Sequence, residues 1–160
     1  DVARSHGLPP FLTADAGVNS GYMIGHYTQA AMAMENKRLA VPASVDSLPT
    51  SAMQEDHVSN GWAAARKLRR AVDNLLRIVA VELVCAGAAI DLRAPLVPGP
   101  GTAAALGALR TAVAGPGPDR WLSPDLRAAE ALLAGGSFVA AVEASIGPLH
   151  VTPPESNFDS

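Results

Sequence analysis

Between Leu68 and Ile90, apolar side chains recur at Leu68, Val72, Leu75, Val79, Leu83, Ala86 and Ile90, spaced four, three, four, four, three and four residues apart. That period keeps all seven on one stripe of an α-helix. The pattern predicts a single helix from about Glu55 to Arg93, roughly 60 Å long at a rise of about 1.5 Å per residue. Its first half carries a solvated face of Arg66, Lys67, Arg69, Arg70 and Asp73. Its second half, "LLRIVAVELVCAGAAI", is apolar nearly all round, interrupted only by Arg77 and Glu82. A helix apolar on every side has to be enclosed on every side. A bilayer is a poor enclosure, because each such charge is penalised by about 2.5–3.5 kcal/mol at its centre. The further helices the pattern predicts, about Thr102 to Ala114, Pro124 to Ala134 and Phe138 to Ser145, are short and alanine-rich, too slight to wrap it. An oligomeric core is the expected enclosure.

With 160 residues, 49% of them hydrophobic, the chain can bury one domain core or contribute part of a larger one. A net charge of -3 and a charged fraction of 17% give no broad field for nucleic acid or an anionic membrane, so neither partner is expected. The basic run Arg66 to Arg70 has no interleaved aromatics and reads as a solvated helix face. Cys85 is the only cysteine and lies in an apolar run, which fits a core thiol in a reducing cytoplasm. The start "DVARSHGLPP" has neither methionine nor an apolar signal core; it reads as a chain beginning in the middle of something, with no sign of export. "APLVPGPG" and "AGPGPD" are turns, since no Lys-Ser or Lys-Thr follows them as a phosphate loop requires. Trp121 and Phe138 are expected to pack, and "TPPESNFDS" has the composition of a partly ordered tail.

Upstream of the long helix, "SGYMIGHYTQAAMAMENKRLA" predicts another helix, from about Asn19 to Leu39, capped by Asn19 or Ser20. "VPASVDSLPTSAMQ" follows, with two prolines and two hydroxyl clusters, and predicts an ordered loop. It delivers Gln54, Glu55, Asp56 and His57 in succession. Ser51 with Gln54 three residues on fits a capping box, and Glu55 with Asp56 would then sit in a first helical turn, favoured by its dipole. The same four groups would also serve as a site, and the pattern leaves both open. Metal binding is not expected: His6, His26, His57 and His150 show no ligand spacing, and Glu55, Asp56 and His57 point apart on a helix. No serine lies in a G-x-S-x-G elbow.

The segment "GVNSGYMIGHYTQAAMAMENKRLAVPASVDSLPTSAMQEDHVSNGWAAARKL" resembles the C-terminal half of the histidine ammonia-lyases, members of the aromatic amino-acid lyase family. The likeness runs from about Phe11 to Arg93 and rests beyond that on position and helical character. Met53 stands where many members have asparagine, and Asn60 where methionine is usual.

The resemblance implies an all-α fold, its long central helices assembled into a tetrameric bundle with active sites built from several subunits. Residues 1–93 would form the active-site loop and central helix region, and 94–160 a C-terminal helical region. The implied chemistry is elimination of ammonia from an amino acid by an electrophilic methylidene-imidazolone (MIO), made by cyclisation of an internal Ala-Ser-Gly. None occurs here: Ala43-Ser44-Val45 and Ala144-Ser145-Ile146 put a branched residue where ring closure needs glycine's unhindered nitrogen. The expected partner is therefore an N-terminal, cofactor-bearing lyase portion or chain, in a homo- or hetero-tetramer. Gln54 and Glu55 are the implied substrate-binding residues, Glu55 also catalytic, because a carboxylate there suits an imidazole N–H whereas an amide goes with phenylalanine and tyrosine lyases. Asp56 and His57 are expected to be loop and helix-start architecture, and Asn19, Glu35, Asn36 and Lys37 structural. A phenylalanine or tyrosine lyase, an aminomutase, and an inert scaffolding subunit are the alternatives.

Overall fold

Prolines and one left-handed glycine divide the chain. In the computed structural model, which describes residues 4–150, five helices follow a short 3-10 turn at Pro10–Leu12. They are α1 (Met23–Leu39), α2 (Gly61–Asp91), α3 (Pro100–Arg110), α4 (Ser123–Ala134) and α5 (Ser137–Ile146). No strand occurs among the described residues, so the architecture is all-α as the resemblance implies. Pro42 bars the residue before it from helical geometry, ending α1 close by, while Pro100 and Pro124 open α3 and α4 where a missing N–H does no harm. Gly136, at φ 72°, makes the corner between α4 and α5. The predicted tail lies outside the described residues.

α1 and α2 lie antiparallel, joined by a ladder of polar contacts. Gln29 Nε2 donates to the Ile78 carbonyl at 2.9 Å, and Asn36 Nδ2 to that of Ala71 at 3.2 Å. The Lys67 ammonium reaches back to the Val41 carbonyl just past the C-terminus of α1, where a cation is favoured. At the centre is Asn74, buried at 1% exposure, whose Nδ2 donates to Glu35 Oε2 at 2.8 Å and Asn36 Oδ1 at 3.0 Å. That bond, with the Arg70 guanidinium beyond it, holds the Glu35 carboxyl below its ordinary value. Glu35 and Asn36 thus tie α1 to α2 through Asn74.

The face of α2 that this chain covers is made of small residues. Ala80, Val81, Val84, Gly87 and Ala88 are buried there, and the core is completed by Leu109 and Val113 around the end of α3, Ala129 of α4 and Tyr22. Small side chains let helix axes approach closely. A methyl group added at Gly87 would stand 2.6 Å from Leu109 Cδ2. Arg110 closes this corner: its Nη2 donates to Asp91 Oδ2 at 2.7 Å, and its Nη1 to the Val113 and Ala114 carbonyls at 3.2 Å. Cys85 packs half-buried against the core, and burial, followed by the Glu82 carboxylate, pushes its thiol above the ordinary range. On the opposite side of α2, Leu68, Val72, Leu75 and Val79 stay 65, 54, 55 and 38% exposed. The downstream helices leave that stripe open.

Several boundaries differ from the sequence expectation. α2 starts at Gly61 instead of Glu55, α1 at Met23 instead of Asn19, and α3 covers Pro100–Arg110 where about Thr102 to Ala114 was expected. Neither Asn19 nor Ser20 caps α1 with its side chain; a distant carboxylate serves its start instead. Asp119 accepts hydrogen bonds from the backbone N–H of Ser20 (2.7 Å) and of Gly21 (2.8 Å), and its own N–H donates to Asn19 Oδ1 at 3.2 Å. Trp121, expected to pack, is 77% exposed at the rim of a cleft of about 570 Å³ between α1, α2 and α4. Phe138 is half-buried in the groove between α2, α3 and α5, as a packing residue should be.

The Ser20 and Gly21 amides, in that order, hold the Asp119 carboxyl below its ordinary value near 3.8. A carboxyl lowered in the folded state adds stability that is fully present above the ordinary value and is lost as pH falls through the native one. Asp119→Asn should therefore lower the melting temperature of the assembled protein at neutral pH. The gap from the native protein should close as pH drops below 3.8. A gap independent of pH across an acid titration of thermal melts would show that the charge of Asp119 plays no part.

Candidate functional site

The loop 41–60 joins α1, which ends at Leu39, to α2, which begins at Gly61. Its neck is closed by side chains. Ser47 Oγ accepts from the Val58 N–H at 2.8 Å and donates to the Val58 carbonyl at 3.1 Å, and Asn60 Nδ2 donates to the Asp46 carbonyl at 2.7 Å. Further out, Thr50 and Glu55 exchange backbone hydrogen bonds at 2.8 and 3.2 Å, and the Gln54 N–H closes onto the Ser51 carbonyl at 3.1 Å. Between them Ser51, Ala52 and Met53 all have positive φ, at 51, 50 and 71°. None is glycine, and residues in this region persist only where their surroundings over-determine them, at a cost of order 1–3 kcal/mol each.

This geometry removes the capping box. Ser51 and Gln54 belong to a left-handed turn, and Glu55 and Asp56 lie ahead of a helix whose first residue is Gly61 and whose N-cap, Asn60, makes no side-chain capping bond. Gln54 and Glu55, consecutive in sequence, lie at the exit of the turn, both exposed and neither with a side-chain hydrogen bond among the described residues. Asp56 and His57 follow, also exposed, as loop rather than helix start. Lys37 is exposed on α1. The loop thus offers the Glu55 carboxylate next in sequence to the Gln54 amide on a pinned backbone. A carboxylate accepts from an N–H, and an amide both donates and accepts, so the pair can orient a polar, nitrogen-bearing ring.

Sequence reasoning missed the residues that hold this loop. Ser47 was legible only as one member of a hydroxyl cluster. Its partner Val58 carries no signal at all, because the contact is with backbone. Asn60 was visible only as a departure at its position. Among the described residues no group of three His, Cys, Asp or Glu side chains could hold a metal ion, and no single helix is long and apolar enough to cross a membrane.

Residues 1–111 match the family model described as aromatic amino acid lyase. The chain belongs to the aromatic amino acid lyase family. It is similar to the histidine ammonia-lyase of Streptomyces avermitilis, with 64% identity over 93% of this chain and 29% of the relative. Among solved structures it resembles the histidine ammonia-lyase of Trypanosoma cruzi, with 36% identity, a TM-score of 0.82 and coverage of 92% of this chain and 32% of that one. It also resembles the tyrosine aminomutase of Streptomyces globisporus, with 32% identity, a TM-score of 0.83 and coverage of 90 and 28%. The likeness therefore extends well past Arg93, where the residues alone had offered only position and helical character. The chain spans less than a third of the length of the histidine ammonia-lyases it matches.

Proposed function

We propose that this chain is the C-terminal portion of a carbon–nitrogen lyase that eliminates ammonia from L-histidine to give urocanate, and that Gln54 and Glu55 face the substrate. The supporting observation is the unpaired Glu55 carboxylate, exposed at the exit of a pinned turn, in a chain 64% identical to a histidine ammonia-lyase. In the reaction the amine leaves the α-carbon and a proton leaves the β-carbon. Glu55 accepts a hydrogen bond from the imidazole N–H, and Gln54 binds beside it. Catalysis by positioning requires that such groups stay put, and the backbone pairing of Thr50 with Glu55 supplies that constraint.

Methylidene-imidazolone does not fit the residues present. Ala144 to Ile146 lie in α5, where the Ser145 hydroxyl donates to the Pro100 carbonyl at 3.4 Å and the backbone is committed to the helix. Ala43 to Val45 form a bend closed by a valine. The electrophile belongs to a lyase portion outside these 160 residues, assembled with this one as a tetramer in the cytoplasm. The open stripe Leu68, Val72, Leu75 and Val79 on α2 is the surface such an assembly would cover.

The likeness to a tyrosine aminomutase supports a second reading, in which the substrate is tyrosine and the amine is moved, not lost. Steady-state assays of the assembled enzyme on histidine, phenylalanine and tyrosine separate the two. Histidine should be favoured in kcat/KM by on the order of 10⁴, because a phenyl ring would leave the carboxylate without a partner. Comparable turnover of tyrosine, or a β-amino acid product, would move the assignment to the aminomutases. Full turnover in an assembly lacking this chain would make it a scaffold.

A further inference from the structure

The Glu55 side chain has no hydrogen bond of its own among the described residues, so its place is inherited entirely from the loop backbone. That backbone is held at two levels. The outer one is the Thr50–Glu55 pairing with its run of three left-handed residues, a conformation that would relax if released. The inner one is the neck, where Ser47 binds both backbone groups of Val58 and Asn60 binds the Asp46 carbonyl. Ser47, Val58 and Asn60 are half-buried, and Asn60 immediately precedes α2, so the neck is anchored to the longest helix of the fold. Only Leu48 and Pro49 on one arm, and Asp56 and His57 on the other, separate neck from turn.

We propose that Ser47 and Asn60 are positioning residues for Glu55: a hydroxyl and an amide latch the neck of the loop, and through it fix where the carboxylate meets the substrate. The inference rests on the substrate-facing reading of Glu55. Ser47 forms the stronger latch, since one side chain satisfies a donor and an acceptor of the same residue, and a backbone amide left open at a half-buried neck would have to admit water. Asn60 forms a second latch that a methionine there would have no donor to make.

The test uses the complete assembled enzyme and its Ser47→Ala, Ser47→Thr, Asn60→Met and Glu55→Gln variants, with Ser47→Ala also combined with Glu55→Gln. Amide hydrogen exchange across residues 50–55 reads the latch, because the Thr50 and Glu55 N–H groups are protected only while the turn is closed. Ser47→Ala should speed exchange there at least about tenfold and lower kcat/KM for histidine about tenfold, a modest misplacement of a group whose geometry matters. Asn60→Met should do the same more weakly, and Ser47→Thr should restore both readings. In the Glu55→Gln background, Ser47→Ala should have no further kinetic effect, since a residue acting through Glu55 has nothing left to position. An equal loss in both backgrounds would assign Ser47 a merely structural role, and unchanged exchange in Ser47→Ala would remove the latch. Wild-type kinetics in Glu55→Gln alone would sink the substrate-facing reading and the positioning role with it, while exchange would still report whether the neck is latched.

Discussion

Histidine turnover should fall at least about a hundredfold when Glu55 is replaced by glutamine in the assembled enzyme, with the melting temperature unmoved. The substitution keeps the shape of the side chain and removes its charge. Losing a charge-assisted hydrogen bond costs roughly 1.5–3 kcal/mol, about 10- to 150-fold, and loss of any proton-transfer role adds a factor of about 10²–10⁴. A stability effect is not expected, because α2 begins at Gly61 and Glu55 lies in a turn before it, beyond the first helical turn in which a carboxylate feels the dipole. Steady-state kinetics and a thermal melt on the same preparation decide the matter. Native kinetics would show that the carboxylate does not meet the substrate, whatever the melt reports.

The second large effect belongs to the corner between α2 and α3. Leu109 is fully buried, and Leu109→Ala should cost about 2–5 kcal/mol, with the spread set by how far the helices can close over the space. Gly87→Ala in the native background should cost about 1–3 kcal/mol, because the new methyl would stand 2.6 Å from Leu109 Cδ2. The two together should be less damaging than their separate effects imply, since each relieves the other: the alanine at 87 fills part of what Leu109 vacates. Denaturant unfolding of the four proteins measures the coupling. Strict additivity would mean that Arg110, whose Nη2 is 3.1 Å from the same point, and not Leu109, sets the limit at Gly87.

Periodicity made α2 legible, because apolar residues alternating three and four apart fall on one side of the chain only when it is helical. It could not assign the faces of that helix. The large residues Leu68, Val72, Leu75 and Val79 dominate the pattern yet lie exposed here, while the contact within the chain is made by Ala80, Val84, Gly87 and Ala88, whose value is their smallness. Asn74 at the centre of the α1–α2 contact is a polar residue no apolar pattern would place in a core. Helix starts failed for a related reason. Ser51 and Gln54 satisfy the spacing of a capping box, but spacing is silent on backbone hand, and three consecutive left-handed residues turn the chain the other way. The site residues were named from resemblance. What holds them in place, Ser47 on the backbone of Val58, left no trace in side-chain chemistry, and neither did Asp119 on the backbone of Ser20 and Gly21 at the other end of α1.

The Asp119 contact also bears on the order in which the fold can be made. It spans 98 and 99 residues of chain, so the acceptor for the start of α1 is made well after α1 itself. Chains are synthesised from the N-terminus at about 5–20 residues per second, which leaves the Ser20 and Gly21 amides waiting roughly 5–20 s for their carboxylate. During that interval α1 and α2 can already zip together along their antiparallel ladder, whose contacts are far closer in sequence. On the ribosome the helical hairpin would form first with its leading end frayed, and arrival of residues 119–122 would then fasten α4 and the beginning of α1 in one event.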